Sequence, residues 1–454
     1  MNVGFQGAKK PRTVSVGLAG RGGLTISGES LKTAENKRPG TVRFETLCKR
    51  PISSSGHQSV VMSLLDIAGS DDDDDFIFCQ FVLVLSQTNL PEDATLYFEE
   101  LASKYGHPAR KYEVATEDGY ILTLFNLPGT KDPVLLMHGM QGTSDIWMLR
   151  GNISLPIVLA NAGFDVWVGN NRGNRYSRKH RYLDPDNDAA FWDFSFHELG
   201  VYDLSAMIDK VLESTGANQI NAIGHSLGTT LFFVLGSTKP QYNAKVNVLI
   251  ALAPVCYLNN IPPLMSTFFK LAPLIGKSFK NLNIYEVFDK PARDIVRQLC
   301  SLPLIGYEIC IEGVLFAIVG SDPKELSREF TKIVYPHFPS SGSLKNFLHL
   351  AQLHNRRTFA HYDYGLLRNK AVYGSSVPPE YELNKVTMPV AIIVGENDKL
   401  SVLKDVQILR KKLPNVVSYA VSPHAAFNHL DDIWGAHMDV YLYPYVFKVL
   451  EQYS

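Results

Sequence analysis

The chain has 454 residues, of which 45% are hydrophobic and 20% are charged, an ordinary balance for a globular protein. Its 44 basic and 45 acidic residues give a formal net charge of -1. Since neither charge is in overall excess, the composition does not favour nucleic acid or an anionic membrane surface as a partner. Neutral, weakly charged and lipid-like partners stay open.

The first 90 residues differ in character from the rest of the chain. Residues 1–75 are rich in Gly, Ser, Lys and Arg and lack a sustained hydrophobic period, which predicts disorder. The apolar run Phe76–Leu85 is about half the length that spans a bilayer, so no transmembrane span is expected. It fits the core of a secretory signal, although Asp71–Asp75 stand where a signal needs positive charge. Two interpretations stay open: a signal-like segment at 76–86 behind an unusual extension, or a short buried strand.

From Pro91 onward, short apolar runs alternate with amphipathic segments. Leu96, Leu101 and Tyr105 suit one face of a helix, and an Asp-Gly pair between two alternating segments predicts a hairpin. The predicted strands are Tyr112–Ala115, Tyr120–Phe125, Pro133–His138, Asp165–Val168, Asn221–Gly224 and Val246–Leu252. The predicted helices are Leu199–Leu212 and Thr229–Leu235.

This alternation predicts an α/β fold in which a mostly parallel sheet has helices on both faces. The alternation stops near Pro254 and resumes with the strands Val390–Val394 and Val416–Val421 and a last helix near Val440–Leu450. The helical, irregular insertion between them lies where the ligand crevice of such a sheet opens, so it is expected to form a cap. The expected segments are an extension (1–90), a first core part (91–254), the cap (255–385) and a second core part (386–454).

Gly224-His225-Ser226-Leu227-Gly228 has the G-x-S-x-G pattern of a nucleophile elbow. The pattern alone is weak, but a predicted strand ends before it and a predicted helix begins after it. The two glycines leave room for a turn that lifts the serine hydroxyl above the sheet, and the amides at the helix start face a developing oxyanion. Ser226 is therefore the candidate nucleophile of an α/β-hydrolase. The alternative is a glycine-rich turn in which the serine only caps the helix.

A serine nucleophile needs a base, and the base needs an orienting acid; in this fold the acid follows the serine and the histidine comes last. Asp398 comes after a late strand and is the candidate acid, whereas its neighbour Glu396 is expected at the surface. His429 is the candidate base because it lies at the start of an apparent helix. His424 is the runner-up, and His437 lies further along.

Acyl transfer also requires backbone N–H donors for the oxyanion. In this fold one donor is the residue after the nucleophile, here Leu227, and the other belongs to a loop after an early strand. His138–Gly142 is that loop by position, and Met140 would supply its amide. Trp147 and Trp167 are expected in the core rather than in contact with substrate.

The number and spacing of the cysteines do not favour a metal site. The five are odd in number and form no C-x-x-C motif, so a zinc or thioredoxin-type site is not expected, and no cofactor is predicted. Cys300 and Cys310 lie close in sequence and could form a disulfide in an oxidising compartment. Two free buried thiols are equally compatible with this spacing. The five are Cys48, Cys79, Cys256, Cys300 and Cys310.

Many separate motifs, in the right order, resemble the acid lipase family, which includes gastric lipases, lysosomal acid lipases and many insect relatives. The resemblance covers the chain from about Leu96 to the C-terminus. The motifs are Tyr112–Leu122, Leu136–Gly139, Gly163–Trp167, Gly173–Arg175, Phe191–Ser195, Gly224–Thr229 and Asn428–Asp431.

The resemblance implies a hydrolase of neutral lipid esters, triacylglycerols or sterol esters, that acts at a lipid–water interface. It carries the catalytic roles over to Ser226, Asp398 and His429, and the oxyanion amides to Met140 and Leu227. It also implies a movable lid within the cap. Leu227 stands where vertebrate members have Gln, which matters little for a backbone contact.

The resemblance further implies a disulfide between Cys300 and Cys310 and a secreted or lysosomal glycoprotein. Asn152 begins the single N-x-S/T site of the chain. Residues 1–90 have no counterpart in the family. A catalytically silent lipid-binding or storage protein and a soluble carboxylesterase without lipid preference stay open, and the oligomeric state is not predicted.

Overall fold

The N-terminal part of the chain contains a small antiparallel pair of strands. The computed structural model describes residues 15–19, 23–27, 90–302 and 305–453. In the first two ranges, β1 (Ser15–Ala19) pairs with β2 (Gly23–Ser27). The sequence predicted disorder over residues 1–75 and did not predict this pair of strands. For the rest of that range, disorder stays a prediction. The signal-like segment at 76–86 lies outside the described residues.

The part of the chain from Leu90 onward is built on a central sheet that alternates with helices. Its first six strands are β3 (Arg110–Ala115), β4 (Ile121–Leu127), β5 (Lys131–Met137), β6 (Phe164–Gly169), β7 (Ile220–His225) and β8 (Val246–Leu252). The helices in this stretch are α1 (Phe98–Lys104), α2 (Leu155–Asn161), α3 (Phe196–Glu198), α4 (Ser205–Thr215) and α5 (Leu227–Thr238).

The segment predicted as a cap, residues 255–385, is mostly helical. Its helices are α6 (Pro263–Asn281), α7 (Lys290–Cys300), α8 (Phe316–Val319), α9 (Arg328–Val334), α10 (Leu344–Arg356) and α11 (Leu366–Tyr373). Two short strands, β9 (Glu286–Val287) and β10 (Gly342–Ser343), pair antiparallel. A disulfide joins Cys300 at the end of α7 to Cys310, which is the pairing implied by the family resemblance.

The sheet resumes after the cap. The remaining elements are β11 (Val390–Val394), α12 (Leu403–Lys412), β12 (Val416–Val421), α13 (Asp431–Trp434), α14 (Met438–Tyr441) and α15 (Tyr443–Gln452). The eight strands lie in the order β12-β11-β8-β7-β5-β6-β4-β3. All neighbours from β12 to β6 are parallel, whereas β4 is antiparallel to both β6 and β3. The predicted α/β sheet is confirmed.

Strand residues alternate between two apolar layers, one on each side of the sheet. Leu135 of β5 and Leu249 of β8 pack in one layer, and the next residue of each strand, Leu136 and Ile250, packs in the other. These four side chains are fully buried. Burying an aliphatic side chain of this size contributes about 1.5–3 kcal/mol, which explains why the central strands are continuous apolar runs.

Four helices differ from their predicted bounds, and α5 extends beyond Thr229–Leu235 at both ends. The first begins at Phe98 rather than Leu96, because the Glu100 carboxylate accepts a hydrogen bond from the Tyr97 amide at the helix start. The helix predicted at 199–212 opens with a π-helical segment, Leu199–Leu204, before α4. The last predicted helix, 440–450, is split into α14 and α15, and Pro444 in the first turn of α15 cannot continue a preceding helix.

Candidate active site

The segment around Ser226 forms a tight turn between β7 and α5. Ser226 has φ 54° and ψ −122°, a backbone conformation that is unfavourable for residues other than glycine. A Cβ atom on Gly228 would lie 2.2 Å from the Met137 carbonyl oxygen, and one on Gly224 would lie 2.9 Å from the Thr229 amide nitrogen. Both glycines are therefore required by close backbone approach, as a nucleophile elbow requires.

Three residues from distant parts of the chain form one hydrogen-bonded line. His429 Nε2 lies 2.8 Å from Ser226 Oγ, and His429 Nδ1 lies 2.8 Å from Asp398 Oδ2. All three side chains are buried, with 3–9% of each residue exposed. These distances are those of a nucleophile, a base and an orienting acid.

The turn after β11 fixes the orientation of Asp398. Its Oδ1 accepts hydrogen bonds from the amides of Leu400 at 2.8 Å and Ser401 at 2.7 Å, which leaves Oδ2 for His429. Glu396, the competing carboxylate, is exposed. The structure therefore brings Asp398 into the site and leaves Glu396 at the surface.

The two competing histidines lie against other carboxylates. His424 Nε2 is 2.5 Å from Asp322 Oδ2, and His437 Nδ1 is 2.8 Å from Glu325 Oε1. Neither histidine has a hydrogen bond to Ser226. The structure therefore places only His429, among the three candidates, between Ser226 and an acid.

The loop after β5 lies directly against the nucleophile. A Cβ atom on Gly139 would be 3.1 Å from Ser226 Cβ, so the backbone there approaches the elbow closely. Leu227 is the first residue of α5, and its amide has no acceptor within the helix. For the Met140 amide, the described part of the chain shows no hydrogen-bond acceptor. Two free amides beside Ser226 suit a developing oxyanion.

Comparison with known proteins agrees with this geometry. The family model of the α/β-hydrolase fold matches residues 132–432, and that of the partial α/β-hydrolase lipase region matches residues 98–151. Lipase 1 of Drosophila melanogaster is 38% identical, with 81% of this chain and 82% of that protein covered. The chain belongs to the α/β-hydrolase lipases.

Two mammalian relatives of the lipase carry more specific names. Gastric triacylglycerol lipase of Rattus norvegicus is 35% identical, with 75% of this chain and 88% of that protein covered. Lysosomal acid lipase/cholesteryl ester hydrolase of Macaca fascicularis is 32% identical, with 81% of this chain and 94% of that protein covered. The resemblance to the acid lipase family is confirmed.

The loop after β5, predicted to supply an oxyanion amide, contains a neutral histidine, His138, for which the sequence predicted no role. His138 Nε2 accepts a hydrogen bond from the Asn171 amide at 3.2 Å, so Nδ1–H donates to the Gly139 carbonyl oxygen at 2.8 Å. Burial lowers the pKa of His138 to about 4, which keeps the ring neutral. The only sequence feature that points to this contact lies in residues 170–175, because Gly173–Arg175 is one of the motifs shared with the family.

The segment predicted as a cap contacts the same loop. The Ser340 amide donates to the Gln141 carbonyl oxygen at 2.7 Å, and Gln141 has a left-handed φ of 57°. Arg175 Nη2 donates to the carbonyl oxygens of Pro336 at 3.0 Å and His337 at 3.1 Å. The residue after Met140 is therefore hydrogen-bonded to the segment predicted as a cap.

Four other predictions concern features outside the line from Ser226 to Asp398. Asn152 is exposed in a short helical turn, and Trp147 and Trp167 are buried, as expected for core residues. Among the described residues, no helix is long and apolar enough to cross a membrane. No cluster of three or more His, Cys, Asp or Glu side chains within these same ranges is placed to hold a metal ion.

Proposed function

We propose that the lipase hydrolyses esters of neutral lipids, triacylglycerols or sterol esters, through an acyl-enzyme on Ser226. The names gastric triacylglycerol lipase and lysosomal acid lipase/cholesteryl ester hydrolase support this substrate class. The observation that carries the chemistry is the line from Ser226 Oγ through the His429 ring to Asp398. Lipid binding or storage without catalysis would not require these three side chains to be aligned.

In the first step, Ser226 Oγ attacks the ester carbonyl carbon and forms a new C–O bond. His429 Nε2 takes the hydroxyl proton, while Nδ1–H stays hydrogen-bonded to Asp398 Oδ2. The Asp398 carboxylate stabilises the imidazolium that results and holds the ring in the required tautomer. Because two amides fix the other Asp398 oxygen, the ring cannot lose its orientation by rotation of the carboxylate.

The negative charge that develops on the former carbonyl oxygen faces the Met140 and Leu227 amides. Removal of one such donor from a hydrolase costs about 10²–10³ in rate, so these amides carry a large part of the proposed catalysis. When the intermediate collapses, the bond to the alcohol breaks and His429 protonates the leaving oxygen. A water molecule then attacks the acyl carbon, His429 takes its proton, and Ser226 leaves with that proton as the fatty acid departs.

The location of the protein is also a proposal. The Cys300–Cys310 disulfide supports an oxidising compartment, outside the cell or within the secretory and lysosomal system. The exposed Asn152 is open to glycosylation there. A secreted or lysosomal enzyme with a cap over an acyl pocket would open that cap at a lipid surface.

Labelling with a fluorophosphonate probe tests the nucleophile. The wild-type protein should be labelled, Ser226→Ala should not, and Ser278→Ala, which changes an exposed serine of α6, should be labelled like the wild type. Absence of labelling in folded wild-type protein would favour the silent binding protein.

Hydrolysis of emulsified and dissolved esters tests the substrate class. We expect turnover of emulsified triolein or cholesteryl oleate to exceed that of a short ester below its solubility limit. Equal rates on both forms would identify a soluble carboxylesterase, and the lipid preference would then be wrong.

A further inference from the structure

The outer side of α6 is an apolar strip. Met265, Phe269, Ala272 and Gly276 face inward and are buried. These four residues occupy one sector of the helix circumference. At 100° per residue, a second sector of about 120° carries four large apolar side chains that are 40–65% exposed. These four are Leu264, Phe268, Leu271 and Leu274. A contiguous exposed apolar patch of this kind marks an interaction surface.

A row of lysines runs beside the apolar strip. Lys270, Lys277 and Lys280 occupy a third sector of α6 and are exposed. Throughout the part of the chain that the structure describes, none of the three forms an ion pair with a carboxylate. A helix with leucine and phenylalanine on one face and lysine beside them has the pattern of segments that lie in the plane of a lipid interface.

The segment that follows α6 in the chain also exposes apolar side chains. Its exposed large apolar residues are Leu282, Ile284, Phe288, Ile295 and Leu299. Residues 263–302 contain six basic and three acidic residues, in a chain whose net charge is -1.

The three acidic side chains of this segment are already engaged. Glu286 pairs with Arg178 at 3.0 Å, Asp294 pairs with Arg297 at 3.3 Å, and Asp289 caps α7. The lysine charges of α6 are therefore not neutralised by them, and the surface is complementary to an anionic partner.

The strand that follows α6 along the chain pairs with a strand that contacts the loop after β5. The strand β9 follows α6 and pairs with β10, in which a Cβ atom on Gly342 would lie 3.2 Å from Gln141 Oε1. Gln141 is the neighbour of Met140, the proposed oxyanion donor.

We propose that α6 docks the lipase on a lipid surface that carries ionised fatty acids, with the lysine row binding carboxylates and the apolar strip entering the acyl layer. This inference rests on the proposed function, because fatty acid is the product of that reaction and accumulates at the surface where the enzyme acts. Product would then retain the lipase at the droplet, so that hydrolysis strengthens docking.

Flotation of the full-length Ser226→Ala protein with triolein droplets coated in phosphatidylcholine tests docking without turnover. Addition of oleate to the coat should raise the bound fraction, and the further substitutions Lys270→Gln, Lys277→Gln and Lys280→Gln should abolish that increase. A lysine near an anionic surface changes the partition coefficient about fivefold, so the loss for three is on the order of 100-fold. Circular dichroism and thermal unfolding establish that each variant folds.

The matched control removes three exposed lysines from α12, by Lys404→Gln, Lys411→Gln and Lys412→Gln, and should keep the response to oleate. A second variant, Leu264→Ser with Leu274→Ser, should weaken binding to coats with and without oleate. Equal binding of the α6 lysine variant and its parent would overturn the proposal. So would retention by phosphatidylglycerol coats, but not by oleate coats, at matched surface charge. Failure of wild-type protein to hydrolyse any ester would reject the proposed function instead, because docking is measured without turnover.

Discussion

His225 Nε2 lies 2.8 Å from the carbonyl oxygen of His429, so the residue before the nucleophile is bonded to the backbone of the proposed base. A ring nitrogen that faces a carbonyl oxygen must carry the proton, so His225 is the donor. Burial lowers the pKa of His225 to about 3, so the ring is neutral near neutral pH. The contact joins the backbone at His429 to the residue next to Ser226.

Replacement of His225 by Phe should therefore slow catalysis without removing any triad member. The variant keeps an aromatic ring of similar size but loses a hydrogen bond worth about 1 kcal/mol, which corresponds to a decrease in kcat of roughly fivefold. The measurement is kcat on a short soluble ester, so that docking on lipid does not enter. His225→Gln retains an N–H donor and should recover part of the rate; wild-type kcat in the Phe variant would show that the contact does not position His429.

The members of the proposed triad could be predicted from sequence because each has a local signature: Ser226 stands in the G-x-S-x-G motif, Asp398 follows a buried strand, and His429 lies shortly before a helix. The His225 contact could not be found in this way, since it joins backbone and side chain across 204 residues. The same holds for the Ser340 contact to Gln141, which depends on where the cap folds back.

The overall composition of the chain also gave no indication of the apolar strip and the lysine row of α6. The balanced net charge gave no reason to expect an anionic lipid surface, but the three lysines fall in one sector of one helix. The three-sector pattern becomes visible only when the structure shows that Phe269 and Gly276, rather than Leu264 and Leu271, face the protein.

The backbone at Ser226 should lower the stability of the folded protein. Its φ of 54° and ψ of −122° cost a residue with a Cβ atom about 1–3 kcal/mol, and glycine avoids most of this cost. Both Ser226→Ala and Ser226→Gly lack the nucleophile, so the pair isolates the backbone effect. We expect Ser226→Gly to be more stable than Ser226→Ala by about 1 kcal/mol in urea unfolding, and the reverse order would show that the turn is unstrained.

Asp432 should make stability fall as pH rises. Neither of its carboxyl oxygens has a hydrogen-bond partner among the described residues, and burial, followed by the charges of Asp398 and Asp431, raises its pKa well above the ordinary value. Above about pH 4 the unfolded chain releases the proton, whereas the folded protein keeps it, so the free energy of unfolding decreases until the folded group also ionises.

The variant Asp432→Asn removes this ionisation while keeping the size of the side chain. Relative to wild type, it should gain at least about 1 kcal/mol in unfolding free energy between pH 4 and pH 7, since one unit of pKa is worth about 1.4 kcal/mol. Denaturant unfolding at the two pH values measures the difference. A constant offset between the proteins across this range would mean that Asp432 titrates normally.

His361 should have the opposite effect, a loss of stability towards acid. Its ring stacks on Tyr381 with centroids 4.3 Å apart and lies 4.7 Å from the ring of His197. Burial, followed by the charge of His197, lowers the pKa of His361 to about 4. Below about pH 6.5 the unfolded chain binds a proton that the folded protein does not, so the free energy of unfolding falls as pH decreases towards 4.

Replacement of His361 by Phe keeps the stacking on Tyr381 and removes the proton-binding group. Its side chain makes no hydrogen bond within the described part of the chain, so the substitution leaves no polar partner unsatisfied there. The difference in unfolding free energy between the variant and the wild type should be larger at pH 4.5 than at pH 7.5, in favour of the variant. After allowance for partial exposure of the ring, we expect this increase to be about 1–2 kcal/mol. Urea unfolding at both pH values gives the comparison, and the measurement at pH 7.5 separates packing changes from protonation. An equal difference at the two pH values would show that His361 binds its proton as readily in the folded protein as in the unfolded chain.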